Sequence, residues 1–175
     1  PGRIKTIKEN VDMMAVILPF EKKIYEDAGV PVYFVGHPLT ETVKTQLSET
    51  AVRQKYTLPQ ETTIKLIGIL PGSRRGEIQR IFPVMLKAAE LLQKKYPELI
   101  FVLPIAPTLT EETFAPYCQN STLNIHYIPA DSTSSKSNHY DLINACHCIM
   151  VTSGTATLEA ALLTKPMIIS YKTSA

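Results

Sequence analysis

Cysteine, glycine and an excess of either charge are all scarce in this 175-residue chain, and each scarcity removes a class of protein. Three cysteines, an odd number, make no disulfide framework. With 45% hydrophobic, 19% charged and 7% aromatic residues, the composition is neither disordered nor collagenous and is that of an ordinary globular α/β protein. Lys and Arg number 18 against 16 Asp and Glu, scattered along the chain, so the clustered basic face that nucleic acids require is missing and no nucleic-acid partner is expected. The longest apolar stretch, Met13 to Phe20, falls far short of the roughly 20 residues that cross a bilayer, and no signal peptide precedes it. A protein of the cytoplasmic side, about one domain long, is expected.

The three cysteines also argue against a metal. Cys146-His147-Cys148 leads into a buried strand, where such side chains pack as small hydrophobes. No second Cys/His cluster is spaced to complete four ligands, so no metal site is expected. No cofactor is expected either.

Apolar runs set the organisation. Helical spacing over Ile4 to Asn10 leads into Met13 to Leu18, a continuous run of the kind a strand buried on both faces produces. Helix Phe20 to Ala28, a cap at Gly29 and strand Val32 to Val35 complete a βαβ unit, stopped by Gly36-His37-Pro38. Residues 41–60, polar and rich in Thr, Gln and Glu, read as a linker between a domain tail at 1–40 and a second domain at 61–175. That second domain alternates strands at 64–70, 99–103, 123–128, 148–152 and 167–171 with helices ending near Lys95, at 111–118, at 140–145 and at 154–163. Such alternation implies a parallel sheet covered on both faces, a three-layer α/β/α, Rossmann-like architecture. Pro83 predicts a turn before the main part of the first long helix. Asp131 to Asn138 is a polar, low-complexity loop. Pro1, with no Met before it, and Ala175, directly after an apolar run, suggest a piece of a longer protein.

With only seven glycines, their positions carry weight. Gly72 and Gly76 follow one buried strand and Gly154 follows another, each at a strand-to-helix junction. Helix starts at the carboxyl ends of parallel strands offer unpaired N–H groups and a positive dipole end to an anion, so two of them suggest a phosphate-bearing ligand. The first junction reads Leu70-Pro71-Gly72-Ser73-Arg74-Arg75-Gly76-Glu77-Ile78. Gly72 would let a phosphate approach the backbone, Ser73 would cap or donate, and Arg74 or Arg75 would supply a permanently charged donor. It is neither a P-loop nor a G-x-G-x-x-G dinucleotide motif. The second reads Thr152-Ser153-Gly154-Thr155-Ala156-Thr157-Leu158-Glu159, with Ser153 as N-cap, open amides at Gly154 and Thr155, and Glu159 placed to accept from a ribose diol. Taken singly, each junction is equally a capped helix start with surface side chains.

Together the motifs are more specific. L-P-G-S-R at Leu70 to Arg74, Glu77-Ile78, S-G-T-A-T-L-E at Ser153 to Glu159, L-P-F-E at Leu18 to Glu21 and V-G-H-P-L at Val35 to Leu39 resemble the lipid-A-disaccharide synthases in order and spacing over essentially the whole chain. Alone, L-P-F-E and G-H-P-L are weak: Phe20 reads as a hydrophobic staple and His37 as a satisfied loop histidine. The resemblance implies the GT-B fold of two Rossmann-like domains. It implies transfer of 2,3-diacylglucosamine from UDP-2,3-diacylglucosamine to 2,3-diacylglucosamine 1-phosphate, with inversion and without metal, at the inner membrane face. Residues 1–40 would then be the tail of the acceptor-side domain and 61–175 much of the UDP-sugar-binding domain. Carried over, Gly72, Ser73 and Arg74 would meet the diphosphate, with Arg74 the catalytic group. Ser153, Gly154 and Thr155 would meet phosphate oxygens from the other side, and Glu159 would hold the ribose. The family's catalytic base would lie upstream of Pro1, so the isolated chain is expected to be inactive. A UDP-N-acetylglucosamine 2-epimerase-like enzyme and a non-catalytic UDP-binding module are the alternatives.

Overall fold

The five-residue run Leu66-Ile67-Gly68-Ile69-Leu70 is apolar on both sides, and it forms the central strand of a five-stranded parallel sheet. The computed structural model describes residues 2–130 and 137–172. They fall into two compact units, residues 1–42 and 43–175.

In the smaller unit, helix α1 (Gly2–Asn10) precedes strand β1 (Met14–Val16), helix α2 (Pro19–Asp27), strand β2 (Val32–Phe34) and a short helix α3 (Leu39–Thr42). β1 and β2 pair in parallel, Met14 opposite Val32, which is the expected βαβ arrangement. L-P-F-E is a helix start: Pro19 occupies the first turn, and the Glu21 carboxylate accepts from the Leu18 N–H at 3.1 Å. Phe20 is 64% exposed, so it is no staple. His37 is a satisfied loop histidine, its Nδ1 accepting from the Leu39 N–H at 3.1 Å.

The larger unit runs helix α4 (Glu49–Lys55), strand β3 (Leu66–Leu70), helix α5 (Arg75–Lys95), strand β4 (Ile100–Pro104), helix α6 (Ala115–Cys118), strand β5 (Ile125–Ile128), helix α7 (Ser137–Ala145), strand β6 (Cys148–Thr152), helix α8 (Thr155–Leu162) and strand β7 (Met167–Ser170). Spatial order is β5-β4-β3-β6-β7, all parallel. Alternate strand residues feed two cores, because successive side chains leave a strand on opposite faces. Ile69, Phe101, Leu103 and Met150 meet α5, whereas Leu70, Val102, Ile149 and Val151 meet α4, α7 and α8 through Val52, Leu142 and Ala160. This is the three-layer, Rossmann-like architecture expected.

Three local expectations need correction. α5 runs unbroken through Pro83. One missing N–H is outweighed by the face Ile78, Ile81, Phe82, Met85, Leu86 and Ala89, all buried, with Phe82 edge-on to Phe114 at 5.1 Å. The helix expected over 111–118 is instead a 3-10 turn, Glu111–Thr113, followed by α6, where Pro116 cannot donate to a preceding turn. The linker expected at 41–60 is mostly part of the larger unit. Fully buried Arg53 donates to Glu49 Oε1 at 2.7 and 2.9 Å, to the Pro59 carbonyl at 2.6 Å and to the Ile64 carbonyl at 2.7 Å, clamping the approach to β3 onto α4. In the polar stretch at 131–138, residues 131–136 lie outside the described residues and Ser137 opens α7. Cys146 packs in the core, and burial pushes its thiol pKa up to about 12.

Candidate functional site

The chain goes outward from β3 to β4 and β5, then returns to place β6 on the other side of β3. At such a switch the loops leaving the two central strands diverge, and a crevice opens between them. A cavity of about 560 Å³ lies there. Gly72, Ser73, Arg74, Ser153, Gly154, Thr155 and Glu159 all line it, so the structure brings every site residue expected from sequence to one place.

At the first junction the chain fills its own anion position. Glu77, in the first turn of α5, reaches back so that Oε2 accepts from the Ser73 N–H at 3.2 Å and the Arg74 N–H at 3.4 Å. Its Oε1 accepts from Arg74 Nη1 at 2.7 Å. Partial burial alone would raise the Glu77 pKa, but the bonds from Arg74 and Ser73 outweigh it and hold the carboxyl below its usual range. Gly72 is demanded by this geometry. Its φ is +108°, and a Cβ there would collide with the Glu77 side chain. Ser73 does not cap the helix as expected, because the N-cap is Arg74 and the carboxylate of Glu77 takes the capping role. The amides of Ser73 and Arg74, two of the residues expected from sequence to meet a diphosphate, are thus already bonded. What remains for a ligand is the rest of the guanidinium of Arg74, a side chain 81% exposed, and the Ser73 hydroxyl.

The second junction is open. The N-cap of α8 is Gly154, with no side-chain cap, so the expected capping role of Ser153 is not realised; its amide instead donates to the Ser170 carbonyl at 3.0 Å. The Thr157 amide and hydroxyl both donate to the Gly154 carbonyl, at 3.1 and 2.6 Å. Among the described residues no acceptor meets the amides of Gly154, Thr155 or Ala156. The backbone at Gly154 is extended (φ 164°), and a Cβ there would meet nothing within 4 Å. Neither conformation nor crowding calls for glycine at this position. Its effect is to leave the helix start bare, with the macrodipole's positive end facing the cavity.

Glu159 sits half-buried one turn into α8, where the Tyr140 hydroxyl donates to its Oε1 at 3.3 Å. His139 lines the same wall. Burial lowers its pKa and Glu159 pulls the other way without prevailing. Three residues of the site escaped sequence reading. Glu77 enters the sequence reading only as part of a motif, although a Glu three residues after a helix N-cap is the sequence mark of a reach-back cap. His139 and Tyr140 carried no signal, since nothing local places α7 beside α8.

A profile of the family described as lipid-A-disaccharide synthetase matches residues 1–175. The chain belongs to the lipid-A-disaccharide synthase family. Relatives of that name include one from Trichlorobacter lovleyi, 44% identical over 173 residues, 99% of this chain and 43% of the relative. Lipid-A-disaccharide synthase 1 of Legionella pneumophila strain Paris is 43% identical over 172 residues, 98% of this chain and 42% of the relative. The chain therefore spans somewhat under half the length of these relatives. Among solved structures, a UDP-GlcNAc 2-epimerase from Neisseria meningitidis bound to UDP-GlcNAc is similar with a TM-score of 0.64 at 22% identity, covering 87% of this chain and 43% of that one. The C-terminal domain of a group 1 glycosyl transferase from Francisella tularensis is similar with a TM-score of 0.51 at 16% identity, covering 74% and 68%. These likenesses establish the fold, the Rossmann-like type of GT-B enzymes.

Proposed function

We propose that the protein to which this chain contributes is a glycosyltransferase of lipid A biosynthesis. It would transfer 2,3-diacylglucosamine from UDP to 2,3-diacylglucosamine 1-phosphate, giving the β-1,6 disaccharide and UDP. The larger unit would carry the UDP side and the smaller unit the tail of the acceptor side. The observation that carries this reading is a cavity flanked on two sides by an oriented arginine and a bare helix start. As the bond from the anomeric carbon to the phosphate oxygen breaks, its electron pair stays with UDP. Charge then grows on the diphosphate, where the Arg74 guanidinium and the amides of Gly154 and Thr155 stabilise it more than they do the ground state. Glu159, its carboxylate steadied by Tyr140, would accept from the ribose hydroxyls. The attacking 6-hydroxyl gives its proton to a base, and no residue of this chain is assigned that role. Acylated substrates would bring the parent protein to the inner membrane surface as a peripheral protein, consistent with the absence, among the described residues, of any helix long and apolar enough to span it.

Calorimetric titration of the 175-residue chain and of the full-length parent with UDP, against ADP and UMP, tests the reading. Selective binding of UDP, weakened by Arg74→Ala, is expected. Equal affinity for ADP, or no binding of UDP by the parent, would contradict it.

A further inference from the structure

Two buried side-chain oxygens have no hydrogen-bond partner among the described residues: Asp141 Oδ2 and Thr152 Oγ1. They differ in setting. The other oxygen of Asp141 holds the amides of Gln46 and Leu47 at 2.6 and 3.0 Å, so that carboxylate already has structural work. Thr152 has none. It ends β6, its backbone paired in register with Ser170, and the residue is only 9% exposed. Unlike Asp141, it lines the cavity. The buried part of that lining is otherwise apolar, from Leu70, Ile105, Ile128 and Leu142, apart from Tyr140, whose hydroxyl is engaged by Glu159. An unpartnered hydroxyl in such a floor costs stability, and a valine of the same shape would avoid that cost. Thr152 also immediately precedes the bare helix start, whose Gly154, Thr155 and Ala156 amides are open.

We propose that Thr152 is a ligand-contacting residue: its hydroxyl makes the deepest hydrogen bond in the cavity, donating to a phosphate oxygen of the nucleoside diphosphate that lies across the start of α8. The inference rests on the UDP reading above and adds a donor beneath the backbone amides. Thr152 thereby turns the end of β6 into part of the anion site, so the site extends from the surface-exposed Ser153 inward to the sheet.

The test compares wild type, Thr152→Val and Thr152→Ser by calorimetric titration with UDP and by thermal melting without ligand. Valine keeps the shape and removes the hydroxyl, and serine restores it. Thr152→Val should bind UDP at least fivefold more weakly and melt no lower than wild type, while Thr152→Ser should bind within about twofold of wild type. UDP affinity unchanged in Thr152→Val, with wild type binding UDP, would overturn the Thr152 assignment and leave the nucleotide reading standing. A lowered melting point with unchanged affinity would likewise make the hydroxyl a structural group. Failure of wild type and parent alike to bind UDP would remove the nucleotide reading and this inference together.

Discussion

Two helix starts face one cavity from adjacent strands, and they treat their backbone amides in opposite ways. At α5 the chain supplies its own anion: Glu77 takes the amides of Ser73 and Arg74 and one arm of the Arg74 guanidinium. At α8 the amides of Gly154, Thr155 and Ala156 meet no acceptor among the described residues, and Thr152 below them is unpartnered as well. The self-satisfied loop holds one arm of an arginine without offering the backbone donors of Ser73 and Arg74. An open, solvent-exposed helix start leaves its amides to water and retains their capacity for a ligand anion. On the proposed reading, the first junction orients a charge and the second receives one.

The two glycines show the same division. Gly72 serves the fold, because its φ and the nearby Glu77 side chain exclude a Cβ. The fold makes no such demand at Gly154, where nothing among the described residues excludes a Cβ; on the proposed reading it serves the cavity.

Substitutions can break this comparison, and the largest effect should come from Arg74. In the full-length parent, Arg74→Ala should lower turnover by about 10²–10³, the usual loss for one donor facing a developing anion. A steady-state assay showing less than about a threefold loss would return Arg74 to the status of a surface arginine. Next, Gly72→Ala should destabilise the chain by about 1–3 kcal/mol in urea unfolding, the cost of forcing a side chain into a left-handed, crowded backbone position. Gly154→Ala should cost no more than about 1 kcal/mol in unfolding, the loss of a glycine at an N-cap, yet weaken UDP binding by about tenfold, worth about 1.4 kcal/mol. If instead Gly154→Ala unfolds as readily as Gly72→Ala and binds UDP normally, the division fails. Smallest is Glu77→Gln, which should cost about 1 kcal/mol at neutral pH by loosening the cap. The folded-state pKa of Glu77 is depressed, so its contribution is present above the unfolded value and is lost as pH falls through the folded one. Stability measured from neutral pH down into the acid range should therefore fall less steeply for Glu77→Gln than for wild type.

Much of the fold was legible because it depends on local pattern. β3 and β6 are short apolar runs closed by punctuating residues, and the alternation around them specifies parallel order. Pro83 is a poor guide to the end of a helix because its local penalty is outweighed by the six buried side chains that keep α5 continuous through it. The stretch at 43–60 looked like linker because Arg53 reads as a polar residue until its carbonyl partners, up to eleven residues away, are in place. In the site, the two junctions were legible from glycine placement, but which one was self-filled was not. Glu77 differs from a solvent-facing glutamate only in where its side chain turns. Thr152 differs from any strand-end threonine only in lacking a partner, which no sequence displays. Likewise Tyr140 reaches Glu159 through the packing of α7 on α8, nineteen residues apart in the chain.

The most direct test is a UDP titration of the amide-labelled chain followed by NMR. The amides of Gly154, Thr155 and Ala156 should shift strongly and saturably with UDP, while those of Ser73 and Arg74, already bonded to Glu77, should move far less. Equal or larger shifts at Ser73 and Arg74, with the α8 amides still, would mean that the ligand displaces Glu77 and that the roles of the two junctions are reversed.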